Sequence, residues 1–143
     1  MTSPPSRPPS ANELLDNPVV IQALDEAWAA SESGDSQNRH EEGGWIYMNL
    51  ATAEISTRRA PRGRQASIDL RHPPHVNGCF VVGKFHTHPN PSSEGWDPGP
   101  STSDRVLDER HGVPDLIRAD DGVHLSGPNT RRGGLVGELG YPA

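Results

Sequence analysis

The sequence has a single cysteine, Cys79, so an internal disulfide cannot form, which fits a reducing compartment. No apolar run comes near the roughly 20 residues that a membrane span needs. The N-terminal segment 1–10 is rich in Pro and Ser and has no apolar core of the kind a secretory signal carries. There is no excess of basic charge. The formal net charge is -6, which argues against a general nucleic-acid-binding face. Internal repeats are absent. Hydrophobic residues are scarce at 31%, while Gly and Pro contribute 15 each, a bias towards long loops. The plain expectation is a cytoplasmic protein without nucleic-acid or membrane partners.

At 143 residues the chain fits one domain with a real core. Residues 1–11 read as a disordered tail, and 12–143 as the folded domain. Asn17-Pro18 is a good helix start, since Asn caps and Pro is tolerated at the first helical position. Val20, Ala23, Leu24, Ala27 and Trp28 then form one apolar stripe, and Gly34 closes the segment. Strands are expected at 45–50, 53–57, 66–70, 79–85, 116–118 and 123–125, with a helix at 101–110. The helix–strands–helix–strands order predicts an α/β fold, a mixed β-sheet flanked by helices. Arg58, Arg59, Arg62 and Arg64 read as a solvated loop, and Trp28 and Trp45 as core. His40, His72, His75, His111 and His124 read as surface or loop residues.

The chemistry concentrates in Phe85-His86-Thr87-His88-Pro89 and Ser101-Thr102-Ser103-Asp104. Alternate residues of a strand share a face, so His86 and His88 can converge on one cation. Imidazole and carboxylate are both zinc ligands, and Asp104 is a candidate third, delivered from the first turn of the next helix. Three protein ligands leave a position for water, the pattern of a catalytic site. Ser101-x-x-Asp104 is also a helix-capping pattern, and the two roles are compatible. Cys79 lies in an apolar run, where a free thiol packs as a small hydrophobe rather than acting as a nucleophile.

His-Thr-His-Pro followed by Ser-x-x-Asp resembles the core of the JAMM motif of the JAB/MPN metalloproteases. Their upstream Glu-x-x-Gly-apolar-apolar pattern is matched by Glu41-Glu42-Gly43-Gly44-Trp45-Ile46. The likeness spans roughly 17–125, with only the motif residues specific. The resemblance implies the cytidine-deaminase-like JAB/MPN architecture and Zn2+ held by His86, His88 and Asp104. It makes Glu41 the general base and then the acid, with Glu42 as the alternative, and Ser101 the hydrogen-bond donor to the oxyanion. Gly43 and Gly44 would let backbone pass close to the site. The 89–100 loop is longer than that family's usual spacing, and its Asp97 is an alternative to Asp104. The implied activity is hydrolysis of a peptide or isopeptide bond in a protein or peptide substrate, such as the tail of a ubiquitin-like modifier. A non-catalytic MPN-like scaffold is the alternative. A zinc deaminase would need a Cys-x-x-Cys pair that one cysteine cannot supply.

Overall fold

The computed structural model describes residues 7–128 and 134–135. The order is α1 (Ala11–Leu15), α2 (Pro18–Ala30), β1 (Gly43–Asn49), β2 (Ile55–Arg59), β3 (Cys79–Thr87), a 3-10 turn (Ser92–Glu94), α3 (Thr102–His111), β4 (Asp115–Ala119), β5 (Gly122–Ser126) and β6 (Gly134–Leu135). The strands form one mixed sheet in the order β2-β1-β3-β4-β5-β6. β3 and β4 are parallel, as their connection through α3 requires, and the other neighbours are antiparallel. The α/β expectation therefore holds at the level of fold class. No helix among the described residues is long and apolar enough to cross a membrane.

Sequence chemistry explains most element ends. Asn17 caps α2 by accepting from the Val19 amide at 2.9 Å, with Pro18 in the first turn. Its stripe of Val20, Ala23, Leu24 and Ala27 is buried, while Trp28 is only half-buried and lies 4.2 Å from the Arg118 guanidinium. The helix ends at Ala30 with Ser31 as its cap, before Gly34. The predicted tail ends earlier than expected. Ser10 and Glu13 make a reciprocal capping box that starts α1 at Ala11, and Ala11, Leu14 and Leu15 join the core. Residues 1–6 of that tail lie outside the described residues.

Two strand expectations are corrected. The second strand runs Ile55–Arg59 rather than 53–57, so Arg58 and Arg59 lie on it. The Asn49 side chain accepts from the Ala51 and Thr52 amides, and Ala53 adopts φ +62, so the turn consumes these residues first. Segment 66–70 joins no ladder. Its apolar residues Ile68 and Leu70 instead pack on the sheet face against Trp45 and Tyr47.

The sheet buries both faces. Ile46, Met48, Val82 and Phe85 pack beneath α1 and α2. On the other face Trp45 and Tyr47 are covered by the 60–76 excursion, pinned by the Trp45 indole N–H donating to Leu70 O at 3.0 Å and the Tyr47 hydroxyl donating to Pro74 O at 2.6 Å. Cys79 packs on that second face, as expected of a small hydrophobe. The register between β1 and β3 slips at Ile46/Tyr47. Val82 belongs to the helix-side core, and a Cβ on Gly83 would also point there, 3.0 Å from Leu14 Cδ1. Two consecutive β3 residues thus share a face, the signature of a bulge. Its consequence is directional. Past the bulge, Phe85 and Thr87 face α2, while Lys84, His86 and His88 face away from it.

Candidate metal centre

The site forms where the C-terminal end of β3 meets the chain entering β1. β1 alternates cleanly, with Ile46 and Met48 towards the helices and Trp45 and Tyr47 away. Continued backwards, the alternation sends Glu42 to the helix side and Glu41 to the side of His86. Glu42 is consumed there: it meets His40 Nε2 at 2.6 Å and is in contact with the Arg59 guanidinium, and its own amide donates to Thr87 Oγ1 at 3.0 Å. His40, expected on the surface, is therefore buried. Glu41 is buried and fixed by backbone bonds, its amide donating to Arg64 O at 2.7 Å and its carbonyl accepting from Gly63 at 2.9 Å. A carboxylate oxygen of Glu41 and one nitrogen each of His86 and His88 lie within 4.8 Å of one another, a group that can hold a metal ion.

Gly43 is needed for this approach, whereas Gly44 lets β1 close on β2. A Cβ on Gly43 would collide with the Phe85 carbonyl oxygen and come 2.8 Å from His86 Cβ, and one on Gly44 would collide with the Arg58 carbonyl. The expected close passage of backbone is thus a geometric requirement of the fold.

The imidazoles are oriented from behind. His86 Nδ1 is 3.1 Å from Asp115 Oδ1, and His88 Nδ1 is 3.2 Å from the Pro98 carbonyl. Carbonyl and carboxylate only accept, so both Nδ1 atoms carry protons and both Nε2 atoms are left for a ligand role. Those two Nε2 atoms stand 3.1 Å apart. Asp104 completes the triangle, with Oδ1 3.6 Å from His86 Nε2 and Oδ2 3.2 Å from His88 Nε2. Zn–N and Zn–O bonds of about 2.05 Å at tetrahedral angles put ligand atoms roughly 3.3 Å apart. The pair of Nε2 atoms and the His88 Nε2–Asp104 Oδ2 pair lie close to that value, and the other Asp104 oxygen lies slightly further from His86, so the three side chains converge at about the spacing such a cation takes. The electrostatics agree. Burial opposes charge on His86, yet Asp115 and Asp104 outweigh it and hold its pKa well above the ordinary value. Burial likewise opposes charge on Asp104, and hydrogen bonds from His86 and His88 nonetheless hold it well below the usual carboxylate range. The pocket therefore favours a positive charge between the imidazoles. Glu41 differs: burial pushes it up to about 7, against the opposing pull of His86 and His88.

Asp104 is the third residue of α3, and its position is set by the expected cap. Ser101 Oγ accepts from the Asp104 amide at 3.0 Å, and Asp104 Oδ2 accepts from the Ser101 amide at 2.9 Å. Because Ser101 Oγ accepts in that bond, its proton is free to donate elsewhere. Ser101 shares a cavity of about 610 Å3 with Glu41, His88 and Asp104. Asp97 lines the same cavity, but its carboxylate accepts from the Gly99 amide at 2.9 Å within its own loop.

Three participants escaped sequence reasoning. Asp115 is one, an acid at the start of β4 with no motif to mark it. Thr87 is the second. Its fully buried hydroxyl lies 2.5 Å from Ser31 Oγ while accepting from the Glu42 amide, which ties the Glu41–Glu42 segment and the His-x-His strand to the end of α2. The third is a buried cluster beside His86, in which Lys84 Nζ sits 2.7 Å from Asp108 Oδ1 and 2.9 Å from His111 Nδ1. His111 and His124, expected at the surface, are thus engaged: His124 is buried on β5, 2.9 Å from Asp121. His72 and His75 are exposed, as expected.

Compared with protein-family models, with curated proteins and with solved structures, the chain matches none.

Proposed function

We propose that this protein is a zinc-dependent hydrolase of peptide or isopeptide bonds, working as the JAB/MPN metalloproteases do. The observation that supports it best is the convergence of the two imidazoles and the Asp104 carboxylate, with the Nε2 atoms 3.1 Å apart, Asp104 Oδ2 3.2 Å from His88 Nε2 and Asp104 Oδ1 3.6 Å from His86 Nε2. His86, His88 and Asp104 would hold the ion, leaving Glu41 free for proton transfer. Zinc, when bound, supplies Lewis acidity towards a carbonyl and lowers the pKa of water to about 7.

The remaining chemistry belongs to the chain. Glu41, buried beside the two imidazoles and lining the cavity with Ser101, is placed for both directions of proton transfer. It takes a proton from the attacking water and delivers it to the leaving nitrogen, so an amine departs rather than an amide anion. The free hydroxyl proton of Ser101 donates to the oxygen that gains charge as the carbonyl becomes tetrahedral. Asp115 and the Pro98 carbonyl keep both imidazoles in one tautomer and one orientation. Substrate is a protein or peptide, with the tail of a ubiquitin-like modifier as one instance of the class.

The test is metal analysis of purified protein followed by cleavage of peptide and isopeptide fusions, with Glu41→Gln as control. Stoichiometric zinc, with cleavage that Glu41→Gln abolishes, is expected. Protein that takes up no zinc at neutral pH overturns the reading. Zinc retained without cleavage of any fusion supports the scaffold alternative instead.

A further inference from the structure

The fold absorbs two of the three tryptophans. Trp45 is buried and its indole N–H is bonded to Leu70, while Trp28 packs against Arg118. Trp96 is 43% exposed, and among the described residues its indole N–H has no acceptor. Its loop is nevertheless held on both sides. Arg39, itself buried, grips the Glu94 carboxylate at 3.2 and 3.4 Å. The Ser92 amide and hydroxyl both donate to Asp120 Oδ2, at 3.3 and 3.2 Å. Pro98, two residues beyond, is the carbonyl that orients His88. Gly95 takes φ +90 just before Trp96, a conformation that favours glycine. A large apolar surface is thus fixed in place with its face unused.

That face belongs to the cavity of about 610 Å3 that holds Glu41, His88, Ser101 and Asp104, with Ile68, Pro100 and Leu107 as further apolar lining. A neighbouring cavity of about 400 Å3 shares Ile68, Asp104 and Leu107 with the first and extends past His86 towards Lys84 and His111, away from Trp96 and Pro100. Glu41 lines the first cavity and not the second. The leaving nitrogen must come within reach of Glu41, so the amine half of the substrate lies on the Trp96 side. Building on the hydrolase reading, we propose that Trp96, Ile68, Pro100 and Leu107 form a subsite for a large apolar or aromatic side chain on the leaving-amine side of the scissile bond. Apolar contact with the indole and Ile68 drives occupancy, and an aromatic side chain gains further from edge or offset stacking on the indole.

Two measurements test this. The first needs no turnover. The Trp96 indole N–H resonance, assigned by its loss in Trp96→Phe, is followed in Glu41→Gln protein titrated with acetyl-glycyl-phenylalanine amide or acetyl-glycyl-glycine amide. The phenylalanine compound is expected to shift Trp96 and leave Trp28 and Trp45 in place, and the glycine compound to shift none. No response to phenylalanine, or equal response to both, overturns the proposal. The second varies the residue after the scissile bond through Gly, Ala, Leu and Phe in an otherwise constant peptide. kcat/KM should rise roughly tenfold to a hundredfold along the series, and Trp96→Ala should collapse that ratio towards one. A flat series in the unsubstituted protein overturns the subsite. Failure to cleave any peptide counts against the hydrolase reading alone, and the dipeptide titration then decides the subsite.

Discussion

Glu41→Gln should make the metal-free protein more stable at alkaline pH while removing its activity. Burial holds the Glu41 carboxyl in the protonated form, with a pKa of about 7 against an ordinary 4.5, and the pull of His86 and His88 is already included in that value. The sign follows from linkage. A carboxyl whose pKa is raised by folding binds its proton more tightly in the native state. Stability is therefore full below pH 4.5, falls as pH rises from 4.5 to about 7, and stays reduced above. At about 1.36 kcal/mol per pH unit the total loss is about 3 kcal/mol. Gln keeps the shape and cannot ionise, so it escapes the loss. Thermal unfolding in chelator should give similar midpoints for both proteins near pH 4.5. At pH 8 the variant should lead by on the order of 10 °C, from a few degrees per kcal/mol in a chain of this size. Zinc should shrink the gap, because a dication beside the carboxylate favours its charged form. Equal midpoints at pH 8 without metal, or a less stable variant, would refute the claim that Glu41 is a buried, destabilising carboxylate rather than an ordinary loop acid.

Asp115→Asn should leave the fold intact and weaken zinc binding by roughly 10- to 100-fold in competition titrations, since the carboxylate that orients His86 from 3.1 Å is lost. Ser101→Gly separates two roles of one residue: Gly still caps a helix, so urea unfolding should change by only a few tenths of a kcal/mol, while kcat falls about a hundredfold through loss of the oxyanion donor. Gly43→Ala should destabilise by about 1–3 kcal/mol in urea unfolding, because its Cβ has no room beside the Phe85 carbonyl and His86.

The legible parts of the site were those in which sequence spacing alone sets geometry. Ser101-x-x-Asp104 closes a capping box whatever surrounds it, so Asp104's place on α3 could be read directly. His86 and His88 share a strand face because alternate residues must. α1 carried the same kind of signal in Ser10-x-x-Glu13, but the Pro/Ser composition before it obscured a helix too short to stand without its buried Leu14 and Leu15. Segment 66–70 shows the opposite failure. Its alternating Ile68 and Leu70 do face a core, yet the backbone lies across the sheet face instead of joining its edge. Periodicity reports which side chains are buried and is silent on which backbone pairs.

Which face the histidines occupy was not legible, and the whole site turns on it. Strand alternation ties Glu41 to Trp45 and Tyr47, and Glu42 to Ile46 and Met48, but nothing in the sequence says which set the helices cover. On β3 the problem is sharper. Counted evenly from Val82, a helix-side residue, strict alternation would put Lys84, His86 and His88 beneath α2, where an apolar core could not accommodate them. The bulge at Val82–Gly83 breaks the count once. Gly83 is suited to that position, because the helix-side space there is filled by Leu14 and Ile46, whose Cδ1 atoms lie 3.0 and 3.2 Å from where its Cβ would be. One extra residue thus sends two imidazoles to the face where Asp104 and Asp115 wait, and returns Thr87 to α2 and the amide of Glu42. The same step decides between the two glutamates: Glu41 shares the imidazoles' face, whereas Glu42 shares Thr87's and is taken by His40 and Arg59.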